Sequence, residues 1–352
     1  MRLLMLFISC ISLSQATAQA DSNGIQFSFH GYVKDLNTIG LALHKQPSTY
    51  SQLIHNRLNL KLSSSNFNAS IELRNLFWVK RNNSSIHSKI ERAWIEFKQK
   101  KWSTKIGRQR INWGMNNSWN PNDIFNSYNL LDFDYEERSG VDAISIHHAL
   151  KEMDHLEWGT AFHRDGKVTS ALKYAFNRKG IDWQMLAGVY RSTITMGTGW
   201  QGSMGKWGFK GELQYFSQHQ EQKALLNGSL EIDRLTPKNG YVYGSMLFNQ
   251  TGLIKAPADW SRISFQNNPI QLMPARWNLL VGFRKEINPR LKSSIGLIHS
   301  PFVDLWIVYP SISYSIITDL DIDLFWQSFI GNDHDAFGVI SHSFFLRGKW
   351  SF

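Results

Sequence analysis

Cysteine is nearly absent from this sequence of 352 residues, in which Cys10 is the single one and lies in an apolar N-terminal stretch. If that stretch is removed on export, the remaining chain has no thiol, which excludes disulfide bonds, thiolate metal sites and a cysteine nucleophile. Long apolar runs are also missing after this stretch, since no segment approaches the roughly 20 apolar residues that a membrane-spanning helix needs. Mean hydropathy is −0.31, so a helical membrane protein is not expected.

The N-terminus has the layout of a secretory signal peptide. Arg2 provides a positive start, Leu3 to Leu13 is almost entirely apolar, and Ala18 to Ala20 forms a small-x-small cleavage site. We therefore predict a leader at residues 1–20, cleaved after Ala20, and a single mature domain at residues 21–352. A buried N-terminal helix and a lipoprotein signal cut before Cys10 are the alternatives.

Positive charge and aromatic residues are both abundant. The formal net charge is +10, and the aromatic share is 13%, with 14 tryptophans. In a soluble protein this charge would indicate nucleic-acid binding, but export argues against that partner, and the basic residues are spread along the chain. A wet lumen or an anionic lipid surface is the better partner. Tryptophan and tyrosine favour the membrane–water boundary, so a barrel with an apolar outside is expected.

Apolar and polar residues alternate with a period of two along most of the chain. Leu58, Leu60 and Leu62 alternate with polar residues, as the two faces of a strand require. Each such segment has about ten residues, the length of a tilted strand that crosses a bilayer, whereas strands of soluble sandwiches are usually shorter. The pattern predicts an all-β, transmembrane antiparallel barrel, with a soluble sandwich or lipocalin-like barrel as the alternative. Further alternating segments lie at 67–74, 276–284, 320–327 and 340–352.

The connections predict the strand number. Tight turns are expected at 63–66, 99–101, 237–240, 288–289 and 318–319, and longer connections at 34–50, 80–87, 111–139, 251–275, 300–308 and 331–337. Short turns on one side and longer loops on the other are typical of outer-membrane barrels. The alternation of short turns and longer loops, counted from each end of the chain, agrees in the middle only if 224–235 is a strand. This count gives about eighteen strands. Sixteen is the alternative if weak hairpins near 194–205 are miscounted.

One stretch interrupts the alternation and carries a motif. It contains Gly-Arg-Gln at 107–109, Trp-Gly at 113–114, Asn-Pro-Asn-Asp-x-Phe-Asn at 120–126 and Arg-x-Gly-Val-Asp-Ala at 138–143. This segment, Gly107 to Ala143, resembles a segment of porin-like outer-membrane barrels of Gram-negative bacteria, a group distantly similar to polysaccharide-export porins. The members with an assigned role are channels, so the resemblance implies transport and no chemistry.

The same stretch is long for a loop, and loops of this length are usually functional or disordered. Its many aromatic residues argue against disorder. We predict that it folds into the lumen and narrows the pore, pinned by pairs between Arg108, Arg110 or Arg138 and the carboxylates at 132–137. A packed outer loop is the alternative reading, and a calcium site is a less favoured one. The predicted constriction residues are Trp113, Trp119, Asn120, Asp123, Phe125, Asp132, Asp134, Glu137 and Arg138.

The polar strand face predicts the charge of the lumen. Basic residues outnumber acidic ones on this face even if Glu72 pairs with Arg74 and Glu96 with Arg92, each two residues apart. Rings of arginine and lysine favour anions, so a modest anion preference is expected, and Trp78 and Trp94 are candidates for stacking on sugars. The predicted lumenal cations are Arg57, Lys61, Arg74, Arg92, Arg276, Arg284 and Arg347, together with Lys349.

Histidine and serine residues give weaker evidence for a metal site or an enzyme. His147 and His148 are adjacent on a strand, so they point to opposite faces and cannot share a metal. A barrel hydrolase would need a serine beside a histidine, but His342 and Ser343 also lie on opposite faces, and no nucleophile elbow is present. No enzyme activity, metal or cofactor is therefore predicted.

The sequence thus predicts a passive channel for small polar or anionic solutes in the bacterial outer membrane. Its expected partners are the bilayer, lipopolysaccharide and the barrel-assembly machinery, the last through a final strand ending at Phe352. The alternative is a barrel that conducts nothing and anchors a surface partner.

Overall fold

A computed structural model describes residues 24–41, 48–80, 83–132, 139–151, 153–217, 223–257, 268–333 and 336–352. The predicted leader and Cys10 lie outside these residues. So do Asp134, Glu137 and Arg138 of the predicted constriction.

The chain forms a closed antiparallel barrel of 18 strands, which confirms the fold and the strand number. Each strand pairs with the next one along the chain, and the last strand pairs with the first. The strands are β1 (Gln26–Leu41), β2 (Thr49–Ser63), β3 (Phe67–Lys80), β4 (Asn83–Gln99), β5 (Trp102–Gln109), β6 (Val141–Ala149), β7 (His155–Phe162), β8 (Val168–Arg178), β9 (Ile181–Tyr190), β10 (Thr193–Met204), β11 (Trp207–Phe216), β12 (Leu225–Thr236), β13 (Gly240–Asn249), β14 (Trp277–Asn288), β15 (Leu291–Ser300), β16 (Leu305–Ile317), β17 (Leu320–Asp333) and β18 (Ala336–Ser351).

The barrel closes between β1 and β18 over ten residue pairs, from Tyr32–Ser351 to Leu41–His342. Phe352 extends this ladder, because its N–H donates to Gly31 O at 3.0 Å and its carbonyl accepts from Gly31 N at 2.8 Å. Closure leaves no strand edge unpaired, which removes the row of free backbone groups that an open sheet would present.

The two faces of the wall follow the alternation in the sequence. Apolar side chains on the outer face are exposed, as Leu230 (46%) and Val281 (61%) show. Polar side chains on the inner face are buried, and Glu212 and Glu231 are exposed by 0% and 1%. A wall that exposes its apolar residues and buries its polar ones is inverted relative to a soluble protein. No helix within the described residues is long and apolar enough to cross a membrane.

The connections differ between the two ends of the barrel. One end, here called the turn end, has tight turns at 64–66, 100–101, 179–180, 205–206, 237–239, 289–290 and 318–319, and a five-residue connection at 150–154. Lys179 and Gly180 adopt φ of 55° and 77°, as the mirror-image turn of a two-residue hairpin requires. The other end, here called the loop end, carries the long segments at 110–140 and 250–276.

Several predicted loops are instead strand. β1 and β2 continue to Leu41 and from Thr49, so most of 34–50 is paired, and β3 and β4 are separated only by 81–82. β17 and β18 likewise extend to Asp333 and from Ala336. In 80–87 and 331–337 polar residues predominate at both alternating sets of positions. Strand pairing there leaves little hydrophobic alternation for sequence reasoning to detect.

Candidate functional site

The segment between β5 and β6, residues 110–140, is here called the long loop, and its described part is 110–132 and 139–140. It lies against the inner face of the barrel, and Trp113 and Trp119 are each 1% exposed. Local contacts shape it: Asn126 Oδ1 accepts from Ile111 N at 2.8 Å. A Cβ on Gly114 would collide with the Asn120 amide, so a glycine is needed at that position.

Glu212, on the inner face of β11, is the main acceptor for the loop backbone. Its Oε1 accepts from the N–H groups of Met115 and Asn116, the latter at 3.0 Å. Its Oε2 accepts from Asn122 N at 2.9 Å. One carboxylate therefore gathers two points of the loop that are six residues apart, and bonds to a charged acceptor are the stronger kind.

Glu231, on the neighbouring β12, extends this attachment. It accepts from Asn117 N at 3.2 Å and from Ser118 N at 3.0 Å. Ser229, two residues earlier on the same face, donates to Trp119 O at 3.0 Å. Together, the two wall carboxylates accept from every backbone N–H between 115 and 118.

Side-chain amides of the wall and of the loop donate to further backbone carbonyls. Gln184 of β9 donates to Trp113 O at 2.8 Å. Asn122 of the loop donates to Thr198 O on β10 at 2.8 Å. Gln327 of β17 donates to Leu131 O at 3.4 Å. The loop thus follows the inner wall from β9 round to β17.

Two apolar clusters fill the space between the loop and the wall. In the first, Trp113 and Phe125 meet edge to face at a centroid distance of 4.8 Å, over the small side chains of β6 to β8. In the second, Trp119 and Leu131 pack on Leu247, Leu280 and other apolar residues of β13 to β16. The inner face of the wall is therefore apolar where a loop covers it, and the polar lumenal face inferred from the alternation does not extend over these strands.

The connection between β13 and β14, residues 250–276, also folds inwards in its described parts, 250–257 and 268–276. Three asparagines at the loop end of neighbouring strands, each 0% exposed, hold its backbone. Asn227 donates to Ile270 O at 2.7 Å, Asn249 to Ala275 O at 3.2 Å and Asn278 to Ala275 O at 2.9 Å. Met273 joins the cluster that contains Trp119, so the two loops pack together.

The structure brings the described members of the predicted constriction together. Trp113, Trp119, Asn120, Asp123 and Phe125 are all buried in the long loop. Asp132 is at the end of the described part of this loop.

The predicted role of Arg108 is wrong. Arg108 forms two bonds to Asp142 of β6, at 2.8 and 2.7 Å, on the outer face of the barrel. It follows the alternation of β5, in which Ile106 is exposed outwards and Gln109 is buried inwards. In its described part the loop donates backbone N–H groups to carboxylates of the wall, an attachment that the sequence did not predict.

Six of the predicted lumenal cations lie on the inner face of their strands. Arg276 does not belong to a strand: its backbone bonds to Leu253 in the 250–276 connection and to Asn249 at the end of β13. The six are Arg57, Lys61, Arg74, Arg92, Arg284 and Arg347, and Lys349 joins them.

Carboxylates on β3 and β4 each contact two cations. Glu72 pairs with Arg57 and, at 3.5 Å, with Arg92. Glu91 lies 3.3 Å from Arg74 and 3.6 Å from Lys89. The expected pair between Glu72 and Arg74 is replaced by pairs across strands, with Arg92 directly opposite on β4 and Arg57 diagonally opposite on β2. Both positions are within reach of a long side chain.

Glu96 repeats this pattern nearer the turn end. Lys98 lies 3.6 Å and Lys105 4.0 Å from its carboxylate, so the expected partner Arg92 is again replaced. Glu72, Glu91 and Glu96 are thus three carboxylates shared by six cations. The inner face of β2 to β5, which carries these nine residues, is here called the basic wall.

Sequence reasoning missed Glu212, Glu231 and the three asparagines. They lie on the polar face of ordinary alternating strands, and only the path of the loops inside the barrel distinguishes them. Lys210, two residues before Glu212 on the same face, suggests an ordinary ion pair, so the local sequence gives no signal for this role.

The histidines have separate surroundings. His148 stacks on Trp102 of the outer face at 3.9 Å, while the His147 ring lies 4.9 Å from that of His155. His163, in the 163–167 connection, bonds to Thr169 Oγ1 at 2.8 Å, and burial together with Arg191 lowers its pKa. Within the described ranges, no three histidine, aspartate or glutamate side chains cluster as metal ligands would.

A serine beside a histidine does occur, at a position that sequence reasoning did not consider. His342 Nδ1 lies 2.6 Å from Ser328 Oγ on the outer face of β17 and β18. Ser328 is 1% exposed, so its hydroxyl is closed to a substrate. Ser343 faces inwards, on the opposite face from His342, as the sequence predicted.

The barrel was compared with known protein families, curated proteins and solved structures. No family model matches the sequence, and no curated protein matches it. Among solved structures, OccK5 (OpdH) of Pseudomonas aeruginosa superposes with a TM-score of 0.63 and 9% identity, over 92% of this chain and 98% of that one. OprD of the same organism superposes with a TM-score of 0.61 and 7% sequence identity, over 93% of each chain. The outer membrane channel DcaP of Acinetobacter baumannii superposes with a TM-score of 0.54 and 11% sequence identity, over 96% of this chain and 100% of that one. At these identities the similarity establishes the barrel fold.

Proposed function

We propose that this protein is an outer-membrane channel through which small polar or anionic solutes diffuse passively. The observation that carries the proposal is the long loop attached inside an 18-stranded barrel with an apolar, exposed outer face. A barrel of this size leaves an aqueous lumen, and an in-folded loop narrows it. The similar structures include proteins named as outer membrane channels.

Membrane placement is supported by the wall itself. The outer face carries exposed leucine, isoleucine and valine along all of the barrel, with aromatic residues such as Trp207 and Trp277 towards the two ends. Water would disfavour such a surface, and a bilayer favours it. The turn end would face the periplasm and the loop end the outside, after export with a leader cleaved after Ala20.

The pore would run beside the basic wall, since the contacts of the described loop follow the inner faces of β6 to β17. Three carboxylates shared by six cations give this wall a positive surplus, which supports a preference for anions. Trp94, under Lys105 Nζ at 4.5 Å from its centroid, is an inward aromatic face on which a sugar would stack.

A barrel that conducts nothing and anchors a surface partner is the second candidate. The observation that favours it is the packing of two loops into apolar clusters inside the barrel. Neither candidate involves enzyme chemistry.

Planar-bilayer recording of the purified protein distinguishes the two functions. We expect stepwise openings of uniform conductance and, in a salt gradient, a reversal potential that indicates anion preference. A folded protein that inserts into the bilayer and produces no steps would overturn the channel and favour the anchoring role.

A further inference from the structure

The outer face of the described strands carries four arginine or lysine side chains, and two of them have a carboxylate partner. Arg108 pairs with Asp142 at 2.7 Å, and Arg178 pairs with Asp154 at 3.0 Å. Charge on the lipid face of a barrel is destabilising, and the effect is smallest near the membrane boundary. The other two cations lie near that boundary, on β12 and β14, and their surroundings differ.

These two cations are Arg234 and Lys285, close to the turn end of their strands. Arg234 is opposite Val242 of β13, and Lys285 is opposite Gly240 of the same strand. No aspartate or glutamate lies on the outer face of β9 to β16, strands that the structure describes in full. A counter-charge for the two cations would therefore come from a molecule that binds to this face.

The spacing of the two cations fits a single phosphate group. Arg234 and Lys285 are on the strands that flank β13, and their positions differ by one two-residue step along it. With strands about 4.8 Å apart and a rise of about 3.4 Å per residue, their Cα atoms are separated by about 12 Å. Both side chains are long enough for their charged ends to meet over β13 on one anionic group.

Trp207 places this pair at the level of lipid headgroups. It is opposite Arg234 on β11 and is 43% exposed, and the guanidinium lies over its ring at 5.3 Å from the centroid. Tryptophan favours the membrane–water boundary. Arg234 Nε donates no hydrogen bond to another described residue, so the ring, and not a hydrogen bond from this nitrogen, orients the guanidinium.

The turn between β12 and β13 adds positive charge beside the pair. Lys238 is in this turn, at 237–239, and its side chain is exposed. It adopts φ of 61°, a conformation that glycine, asparagine and aspartate adopt more readily than lysine. An anionic group bound between Arg234 and Lys285 would thus have a third cation on its aqueous side.

A groove in the apolar surface leads from the cations towards the middle of the wall. Gly244 of β13 lies between Ile232 of β12 and Val281 of β14, which are 55% and 61% exposed. A Cβ on Gly244 would meet no atom nearer than 3.7 Å, so the space over it is open. Val242 and Met246, its neighbours on the same face, are half-buried. Since β12 and β14 are about 10 Å apart, the groove has the width to hold a hydrocarbon chain.

We propose that Arg234, Lys285 and the groove over Gly244 form a binding site for one anionic phospholipid of the periplasmic leaflet, here called the lipid site. The phosphate lies between the two cations, and an acyl chain lies in the groove. A headgroup with a net negative charge is preferred to a zwitterionic one, because this face offers no carboxylate to an ammonium group. The inference rests on the membrane placement given under the proposed function, with the turn end in the periplasmic leaflet.

Native mass spectrometry of the purified protein in detergent tests the lipid site. With equal amounts of dioleoylphosphatidylglycerol and dioleoylphosphatidylcholine, we expect one phosphatidylglycerol to be retained in preference. Arg234→Gln with Lys285→Gln should weaken phosphatidylglycerol binding by about 30-fold, the combined effect of two cations near an anionic lipid. The matched control, Lys100→Gln with Lys179→Gln, removes the same charge from other turns of the turn end and should bind as the wild type does.

A second variant tests the groove without changing the charge. Gly244→Leu fills the open space, and its side chain points away from the barrel, so the heat-modifiable migration of the folded protein should be retained. We expect weaker retention of phosphatidylglycerol by this variant. Val281→Leu enlarges the edge of the groove and leaves its floor open, so this control should keep wild-type binding.

Three results would overturn the lipid site: equal retention of the two lipids by the wild type, equal losses in the two double variants, or displacement of phosphatidylglycerol by inorganic phosphate. The last result would reduce the site to one for a free anion. A protein that conducts in planar bilayers without distinguishing the two lipids would refute the lipid site alone. A protein that does not insert into bilayers would refute the proposed function as well.

Discussion

Glu212 and Glu231 show how a single residue type can fix a loop inside a barrel. Each is on the inner face of its strand, fully desolvated, and surrounded by backbone N–H groups. A carboxylate has about four lone-pair positions, so Glu212 can accept from three donors. Hydrogen bonds to a charged group each contribute about 1.5–3 kcal/mol, which is enough for two side chains to hold this loop segment.

We expect the double variant Glu212→Gln with Glu231→Gln to enlarge the pore or make its current noisier. Glutamine keeps the shape but presents an NH2 group to N–H donors, so several of the five loop bonds are lost. Single-channel conductance and open-channel noise measure the effect.

Glu286→Gln is the matched control for this double variant, since it lies near the turn end of β14, away from the loop. Its conductance should equal that of the wild type. A folded double variant with wild-type conductance and noise would show that these carboxylates do not hold a constriction.

Among elements, the strands were the most predictable and the in-folded loops the least. Counting the connections from both ends located β12 (Leu225–Thr236) and the turn that follows it, because short turns and longer loops take turns along such a barrel. The long loop was located by its turn residues and aromatic content. Its contacts with β11 and β12 were not, since these strands follow it by about a hundred residues and nothing in the local sequence pairs them.

The basic wall leads to a prediction about selectivity. We expect Lys89→Gln with Lys105→Gln to shift the reversal potential in a salt gradient towards that of a nonselective pore. Each lysine is the second cation on a shared carboxylate, Glu91 or Glu96, so its removal leaves that carboxylate paired while lowering the positive surplus.

Arg234→Gln with Lys285→Gln removes the same charge near the turn end of the outer face. This control should keep the wild-type reversal potential. If both double variants shift it equally, the effect belongs to overall charge and the basic wall does not select anions.

At the scale of the whole molecule, closure depends on the last residue. Phe352 forms two backbone bonds to Gly31 and contacts Phe29 and Trp350 at ring distances of 5.9 and 5.1 Å. It therefore completes the β1–β18 seam on the outer face at the turn end.

We expect Phe352→Ala to reduce the amount of folded barrel in the outer membrane, since it removes the ring from the seam and from the signal proposed for the assembly machinery. Heat-modifiable migration of membrane fractions measures the folded share. Phe344→Ala, an outer-face position of the same strand, is the control. Equal yields of both variants would contradict a special role for the final residue.

By itself, the sequence determined the barrel. The alternation of apolar and polar residues and the tight turns are local properties of the chain. Each strand and each turn can therefore be predicted from its own short stretch of sequence. The tertiary structure alone decided what occupies the lumen and the outer surface. The bonds from Glu212 and Asn249 to the loops, and the Arg108–Asp142 pair of the outer face, join residues far apart in sequence. Only the closed circle of strands brings them together.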